Sequence, residues 1–580
     1  MLRFLSLLCL LGCLSGCGPS ADAPPAVPAV SAPVAATAVA AQTVFVDRAA
    51  ELGIGFRHDP GLSGHLYMPE ILGAGAALFD ADGDGDLDLL LVQSQVDGQE
   101  AASAASGSRL YRNQLTEKGA LSFADVTLES GLHTRCYGTG VTAADFDNDG
   151  DVDLYLTCWG ANELWRNEGG LRFVEVAAET GSADPAWTGT AAFFDYDRDG
   201  WLDLYVGNYL EYSPAIHKDC HAASGQLDYC GPLTHQPAPD RLLHNEGGQR
   251  FIDVSGASGI ASGAHAPALG VVAADFNGDG RLDLYVANDA YPNHLWIDQG
   301  KGQFVDEALL AGAAVNVDGQ PEASMGVDAG DYDGDGDDDL IMVHLAEEKA
   351  TLYAAAGAGI FEDRTLPSGL GQISRGYTGF GAAWIDYDND GWLDFMVVNG
   401  RVRMDPAQTA RAADFPYAQH MLLLRNQGDG RLSDVTAVSG PVFAEERVSR
   451  GAAFGDLDND GDLDVVVNNA NDRPFVLINQ IGQDQPWLGV RLLEHGRDAQ
   501  GARAILTRGD GRRLARRVRV DGSYASANDP RLQFALGAGK PVGQLDVTWA
   551  DGTREAFAVE RLLPGSYTDL VRESGEANTP

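Results

Sequence analysis

The densest chemistry in the chain lies in nine-residue stretches rich in aspartate, the first of which reads Asp80-Ala81-Asp82-Gly83-Asp84-Gly85-Asp86-Leu87-Asp88. Six more begin at Asp145, Asp195, Asp275, Asp331, Asp386 and Asp456. All carry an acid at position 1, Asp or Asn at 3, Asp at 5, Gly at 6 and Asp at 9. The candidate ligands are therefore Asp80, Asp82, Asp84 and Asp88; Asp145, Asp147, Asp149 and Asp153; Asp195, Asp197, Asp199 and Asp203; and Asp275, Asn277, Asp279 and Asp283. The last three loops add Asp331, Asp333, Asp335 and Asp339; Asp386, Asp388, Asp390 and Asp394; and Asp456, Asp458, Asp460 and Asp464. Position 7 ranges from Asp86 to Trp201 and Arg281, so only its main-chain carbonyl is a constant donor. Five hard oxygen donors around a sharp Gly turn suit Ca²⁺ better than Mg²⁺, and up to seven Ca²⁺ ions are expected. Carboxylates about 4 Å apart repel by roughly 4 kcal/mol per pair at an effective dielectric near 20, so bare loops should be floppy. Loop 4, with Asn277 and three acids, is the weakest candidate. Leu91 and Leu156 stand at the twelfth position, where an EF-hand needs a bidentate Glu.

Each loop sits between two β-type runs, as Ala74 to Phe79 and Leu89 to Val92 flank the first. A second hairpin follows, marked by Leu110-Tyr111-Arg112-Asn113 and Phe123-Ala124-Asp125-Val126. The unit is four short antiparallel strands, recurring at 50 to 80 residues. Seven such units without covering helices predict an all-β fold, a seven-bladed β-propeller with calcium loops over residues 43–482. The seventh loop lacks its own outer strand, and Phe45-Val46-Asp47 near the N-terminus is expected to supply it.

The chain has 580 residues, and its 84 acids outnumber its 40 bases to give a net charge of −44. The seven loops hold 32 of those acids. The acidity is therefore local site chemistry, and it excludes nucleic acid as a partner because phosphate would be repelled. The apolar run after Arg3 has the layout of a secretory signal over residues 1–16. Leu14-Ser15-Gly16-Cys17 resembles a bacterial lipobox, which implies lipidation at Cys17. The absence of Asp after Cys17 implies an outer-membrane lipoprotein, facing the periplasm or the surface, with the lipid as its membrane contact. Residues 17–42, rich in Ala and Pro, read as a tether. A disulfide is expected between Cys220 and Cys230, ten residues apart in a Pro- and Gly-rich insertion; Cys136 with Cys158 stays open.

The loops with their preceding Gly-x-Gly-x-Ala resemble FG-GAP or VCBS repeats, similar to those of integrin α-chain propellers. Tyr67-Met68-Pro69-Glu70-Ile71-Leu72-Gly73 and Tyr229-Cys230-Gly231-Pro232 resemble the bacterial relatives of the cartilage acidic protein family. That family implies a C-terminal ASPIC/UnbV domain, whose marks here are Gly501-Ala502-Arg503, Gly522-Ser523-Tyr524, Asn528-Asp529-Pro530-Arg531 and Val547-Thr548-Trp549. It is placed at residues 483–573 with a tail at 574–580. The alternation in Leu514 to Val520 reads as a half-exposed strand, so a small β-sandwich is expected.

His217, Cys220, His221, Cys230 and His235 contain Zn²⁺ ligand types, but a disulfide is the simpler use of the cysteines. Trp201 and Trp392 are expected to pack on neighbouring loops. The basic run Arg503, Arg508, Arg512, Arg513, Arg516, Arg517 and Arg519 reads as a docking or solvated face. Glu70 lines the channel or caps a turn. No nucleophile elbow, phosphate loop or Ser-His-Asp order stands out, and the catalytic residues are unknown. Two functions follow. The first is a lipid-anchored, calcium-stabilised extracytoplasmic scaffold that presents its propeller to an envelope protein or polysaccharide. The alternative is a periplasmic enzyme with a site in the channel or at the junction with the C-terminal domain.

Overall fold

In the computed structural model, residues 43–94, 107–222, 224–411, 413–537 and 542–577 are described. The expected signal, the Cys17 lipidation site and the tether lie outside them. Among the described residues no helix is long and apolar enough to cross a membrane.

Seven four-stranded antiparallel sheets make up residues 45–479. In blade 1 the strands, A to D from the axis outward, are Ala76–Phe79, Asp88–Leu91, Arg109–Asn113 and Phe123–Asp125. Blades 2 to 6 repeat this order, with their A strands at Tyr137–Ala144, Thr188–Phe194, Ala268–Ala274, Val327–Gly330 and Gly379–Ile385. Blade 7 takes A, B and C from Ser449–Gly455, Asp464–Asn469 and Phe475–Asn479. Its D strand is Phe45–Asp47, paired as Phe45↔Asn479, Val46↔Ile478 and Asp47↔Leu477. The N-terminus therefore closes the ring as the sequence predicts, and no blade is left with a long open edge.

Small residues dominate the A strands because neighbouring strands converge at the axis. A Cβ at Gly451 would lie 2.5 Å from Ala74 O, so only Gly admits that approach. Further out, apolar side chains interleave between blades. Phe79 and Leu90 of blade 1 meet Val141, Leu154 and Trp165 of blade 2 in one buried cluster.

Two sheets form the C-terminal domain. Trp487–Glu494 pairs with Leu532–Ala535 and, in parallel, with Tyr567–Val571. Opposite lie Arg513–Arg517, Arg503–Arg508, Val542–Thr548, Arg554–Phe557 and Glu576–Ala577. Leu488, Val490, Leu506, Phe534, Val547 and Trp549 fill the space between them, as a β-sandwich requires. Two expectations need correction. Residues 576 and 577, expected in a tail over 574–580, belong to a sheet, because Glu576–Ala577 pairs with Glu555 and Ala556. The strand read over Leu514 to Val520 ends at Arg517; Val518 still packs in the sandwich core, and by Val520 the chain has reached the propeller.

Candidate metal centres and the central hub

Each acidic loop joins strands A and B, and its hydrogen bonds explain the fixed positions. The position-1 carboxylate accepts from the main chain it encircles: Asp80 Oδ1 takes Gly83 N at 2.8 Å and Asp84 N at 3.1 Å, and Oδ2 takes Gly85 N at 3.2 Å. Position 5 then accepts from position 7 in every loop, as Asp84 Oδ1 does from Asp86 N at 3.0 Å. Position 9 begins strand B and faces two ways. Asp88 Oδ2 accepts from Ala81 N at 2.9 Å, and Oδ1 from Asn113 N on strand C at 2.8 Å. In consequence, donor atoms of Asp80, Asp82 and Asp88 lie within 4.8 Å of one another, as do those of Asp145, Asp147 and Asp153.

Not all of these oxygens are used. Asp82, Asp147, Asp388 and Asp458, all at position 3, each bury an Oδ1 that accepts no hydrogen bond. Asp386 Oδ1 and Asp394 Oδ2 do the same in loop 6. Buried acceptors without donors are costly, and several converging on one point fit a hard divalent cation. Ionisation shows the same strain. Burial first, then the neighbouring carboxylates of Asp84 and Asp80, pushes Asp82 up to about 6. Burial drives Asp88 up to about 9 and Asp386 up to about 7, the latter against the pull of Arg516.

Loop 4 is different. Asn277 Nδ2 donates to Asp279 Oδ2 at 3.0 Å, and the Arg281 guanidinium, at position 7, pairs with Asp279 and reaches Asp298 Oδ2 at 3.2 Å. A side-chain cation serves the acids there, as Arg425 does for Asp388 and Asp390 in loop 6, but no loop-4 carboxylate oxygen is left buried without a partner. The two tryptophans at position 7 pack as expected, Trp201 against Gly248 and Trp392 against Gly334, and the Trp392 ring also lies under the Arg512 guanidinium at 3.7 Å.

The sequence motif ending strand C has a role that sequence reasoning missed. Asn113 Nδ2 donates to Leu87 O in its own loop at 3.2 Å and to Leu457 O in the loop of blade 7 at 2.9 Å. Asn167, Asn245, Asn426 and Asn479 reach back in the same way to Ala81 O, Phe146 O, Tyr332 O and Tyr387 O. Each stitches one acidic loop to its neighbour. Asp298 and Ala355 occupy this place in blades 4 and 5. The recurring Asn after Arg or His was the available signal.

The C-terminal domain covers the loop face with arginines. Arg491 Nη1 lies 3.5 Å from Asp80 Oδ2, and Arg497 Nε donates to Asn148 Oδ1 at 2.8 Å. Arg503 donates to Gly336 O, Arg512 Nη2 to Gly391 O at 3.0 Å and Arg531 Nη2 to Asp456 O at 2.7 Å. The basic run thus docks on the acidic wheel, as its charge suggests.

From this domain, Ser523 to Ala527 enters the hub. Val141 N and Val327 N donate to Ala525 O and Ser523 O, both at 3.1 Å, and Leu78 N donates to Ala527 O at 3.0 Å. The short helix Pro69–Leu72 comes to the same hub, and Met68, Ile71 and Leu72 pack there with Tyr209, Met325, Phe380 and Tyr524. Arg450, fully buried, donates to Ile71 O at 2.6 Å and to Gly400 O at 3.0 Å, and stacks on Phe380 at 4.0 Å. Glu70 accepts from Ser63 N at 3.1 Å and Tyr229 Oη at 3.2 Å, so it anchors this plug and lines no open channel. Cys220 and Cys230 are disulfide-bonded, as are Cys136 and Cys158. The cysteines of the insertion are therefore not zinc ligands.

Comparison with known proteins agrees with this architecture. The FG-GAP-like repeat family matches residues 80–156, 145–206, 225–286, 275–342, 331–397 and 413–467, together more than half of the chain. The ASPIC and UnbV family matches residues 493–574. Cartilage acidic protein 1 of Mus musculus is 25% identical over 330 residues, 56% of this chain and 48% of that protein. The Homo sapiens protein is 25% identical over 306 residues, 52% of this chain and 43% of that protein. The matches thus span less than half the length of these relatives. Among solved structures, a lectin of Agrocybe aegerita that recognises non-reducing terminal N-acetylglucosamine is similar at 16% identity, covering 62% of this chain and 79% of the lectin, with a TM-score of 0.38. With its repeats forming the wheel and its last domain seated on them, the chain belongs to the FG-GAP-like repeat proteins and carries an ASPIC and UnbV domain.

Proposed function

We propose that this protein is a calcium-stabilised binding scaffold, held to the outer membrane through an acylated Cys17, that presents one face of its propeller to an envelope protein or polysaccharide. The observation that carries this reading is the closed hub. Tyr524 and Ala525 pack there with Met68, Ile71 and Leu72, which among the described residues fills the axis where a propeller would house catalysis. Calcium fits the unsatisfied oxygens of Asp82, Asp386, Asp388 and Asp394, and would hold the loops on which the C-terminal domain rests.

With that domain on the loop face, the opposite strand ends remain for a ligand. There Trp159 and Tyr212 lie 5.7 Å apart, Tyr67 meets His217 at 5.0 Å, and His65 stacks on Tyr67 at 5.4 Å. Tyr212 is buried, but Trp159, Tyr67, His217 and His65 are at least partly accessible, and such rings with polar edges suit sugar rings and protein side chains alike. Elemental analysis of the purified protein, with thermal unfolding before and after EGTA, tests the calcium part. Capture of purified envelope polysaccharide and of envelope proteins, compared with Trp159→Ala, tests the face. The reading fails if no calcium is found, or if Trp159→Ala and wild type capture the same material equally.

A junction enzyme is the second reading, favoured by a cavity of about 300 Å³ between loops 1 and 2 and the C-terminal domain. Its arginines are already engaged: Arg491 with Asp498 at 2.7 Å, Arg497 with Asn148 at 2.8 Å and Arg531 with Asp529 at 2.9 Å. The scaffold is therefore the better supported of the two.

A further inference from the structure

Loop 3 differs from the other six by one donor. Where it is charged or an imidazole, the penultimate residue of strand C runs beside the position-3 acid of its loop. In blades 1, 2 and 6 it is Arg112, Arg166 and Arg425, whose guanidinium can neutralise the loop but cannot ligate a metal; Arg425 lies 2.8 Å from Asp388 Oδ2. In blades 4, 5 and 7 it is Ile297, Ala354 and Ile478, which offer no donor. Blade 3 alone places an imidazole there.

His244 Nδ1 lies 3.1 Å from Asp203 Oδ1 and 3.4 Å from Asp197 Oδ2. All three ligand atoms fall within 4.8 Å of one another, and Asp195, Asp197 and Asp199 form an overlapping group. The Tyr196 ring meets the imidazole edge-on at 6.1 Å. Around an ion with bonds of about 2.0–2.1 Å, neighbouring donors stand about 3 Å apart, which is the spacing here. Imidazole nitrogen with carboxylates suits Zn²⁺ and its neighbours, whereas Ca²⁺ takes oxygen donors.

We propose that loop 3 is a site for a borderline transition ion of the Zn²⁺ class, held by Asp197, Asp203 and His244 Nδ1, with Asp195 or Asp199 completing the shell. To ligate an ion there, His244 would have to present the Nδ1 lone pair to the loop. The competing arrangement is an imidazolium that merely replaces the arginine of blades 1, 2 and 6. The proposal rests on the loops being cation sites, and the test separates its failure from failure of that reading.

Full-length protein is stripped with chelator, reloaded with excess CaCl₂, and titrated with Zn²⁺ by calorimetry and with Co²⁺ by visible absorption. One equivalent of Zn²⁺ is expected to bind over the calcium, and Co²⁺ to show ligand-field bands of a nitrogen-containing shell. His244→Arg installs the residue that blades 1, 2 and 6 carry, so folding is preserved. It should cost about 100-fold or more in Zn²⁺ affinity, with calcium uptake by the other loops unchanged. Absence of Zn²⁺ binding, or retention within about threefold in His244→Arg, overturns the proposal in favour of the imidazolium ion pair. Calcium uptake without Zn²⁺ sinks this proposal alone; Zn²⁺ uptake lost in His244→Arg supports it even where no calcium binds.

Discussion

Tyr524 Oη donates to Leu72 O at 2.8 Å, so two segments 452 residues apart in sequence meet at the centre of the wheel. One belongs to the C-terminal domain and the other to the plug that precedes blade 1. The ring is thus closed twice, at its rim by Phe45–Asp47 and at its axis by this contact. Tyr524 is fully enclosed, and its ring meets Phe380 at 4.8 Å.

Removing the axle should therefore loosen both ends of the chain. Tyr524→Phe loses one hydrogen bond and leaves Leu72 O unsatisfied, for about 1–2 kcal/mol. Tyr524→Ala also leaves a cavity, for about 3–5 kcal/mol, and should expose residues 480–486 to limited proteolysis as the domain undocks. Differential scanning calorimetry is expected to show a separate early transition in Tyr524→Ala. A single transition at the wild-type temperature would mean that the hub segment holds nothing.

Cation affinity should differ between loops in a predictable order. Loop 6 keeps unsatisfied oxygens on Asp386, Asp388 and Asp394 although Arg425 pairs with Asp388 and Asp390, whereas loop 4 has no such oxygen and already pairs Asp279 and Asp298 with Arg281. Calcium should leave loop 4 first and loop 6 last in an EGTA titration. Asp149→Ala should reduce the bound calcium by one ion, and Arg281→Ala should tighten loop 4. Native mass spectrometry of the metal-loaded variants counts the ions.

The pH dependence of the stripped protein follows from the raised carboxyls. Burial and like charge hold Asp82 near about 6, Asp386 near about 7 and Asp88 near about 9, against an unfolded value of 3.8. Groups raised in the folded state stabilise fully below the unfolded value, and that stability is lost as pH rises through the folded values. The melting temperature without calcium should accordingly fall between about pH 4 and pH 9. With calcium bound the carboxylates are wanted ionised, so the curve should be nearly flat. Equal slopes with and without calcium would show that the loops do not bind it.

The sequence reveals the wheel because the cause of each blade is local. An acidic turn, two flanking runs and a short outer strand recur, and the unmatched Phe45-Val46-Asp47 points to the closure. The axle was hidden for the opposite reason. Ser523, Tyr524 and Ala525 carry no periodicity, and their partners Val141, Val327 and Leu72 lie hundreds of residues away. The register that brings His244 to Asp203 also needed the paired strands, since 41 residues of insertion and strand separate the two. Arg503 and Arg517 were legible as a basic run, but not as bonded to particular loops.

The stitching asparagines make the ring strongest where sequence repeats best and weakest around blade 4. Asn113 satisfies Leu87 O and Leu457 O together, so Asn113→Ala leaves two buried carbonyls without a donor and should cost about 1–3 kcal/mol. The junctions of blade 4 with blades 3 and 5 lack such a residue, because Asp298 and Ala355 stand in its place. Amide exchange in Ala268–Ala274 should then be faster than in Tyr137–Ala144, although both are inner strands. Ala355→Asn should slow it, by letting blade 5 reach back to the loop of blade 4 as Asn426 reaches Tyr332 O. Exchange that is uniform around the wheel, or unmoved by Ala355→Asn, would show that the ring is held by apolar packing between blades and not by these side chains.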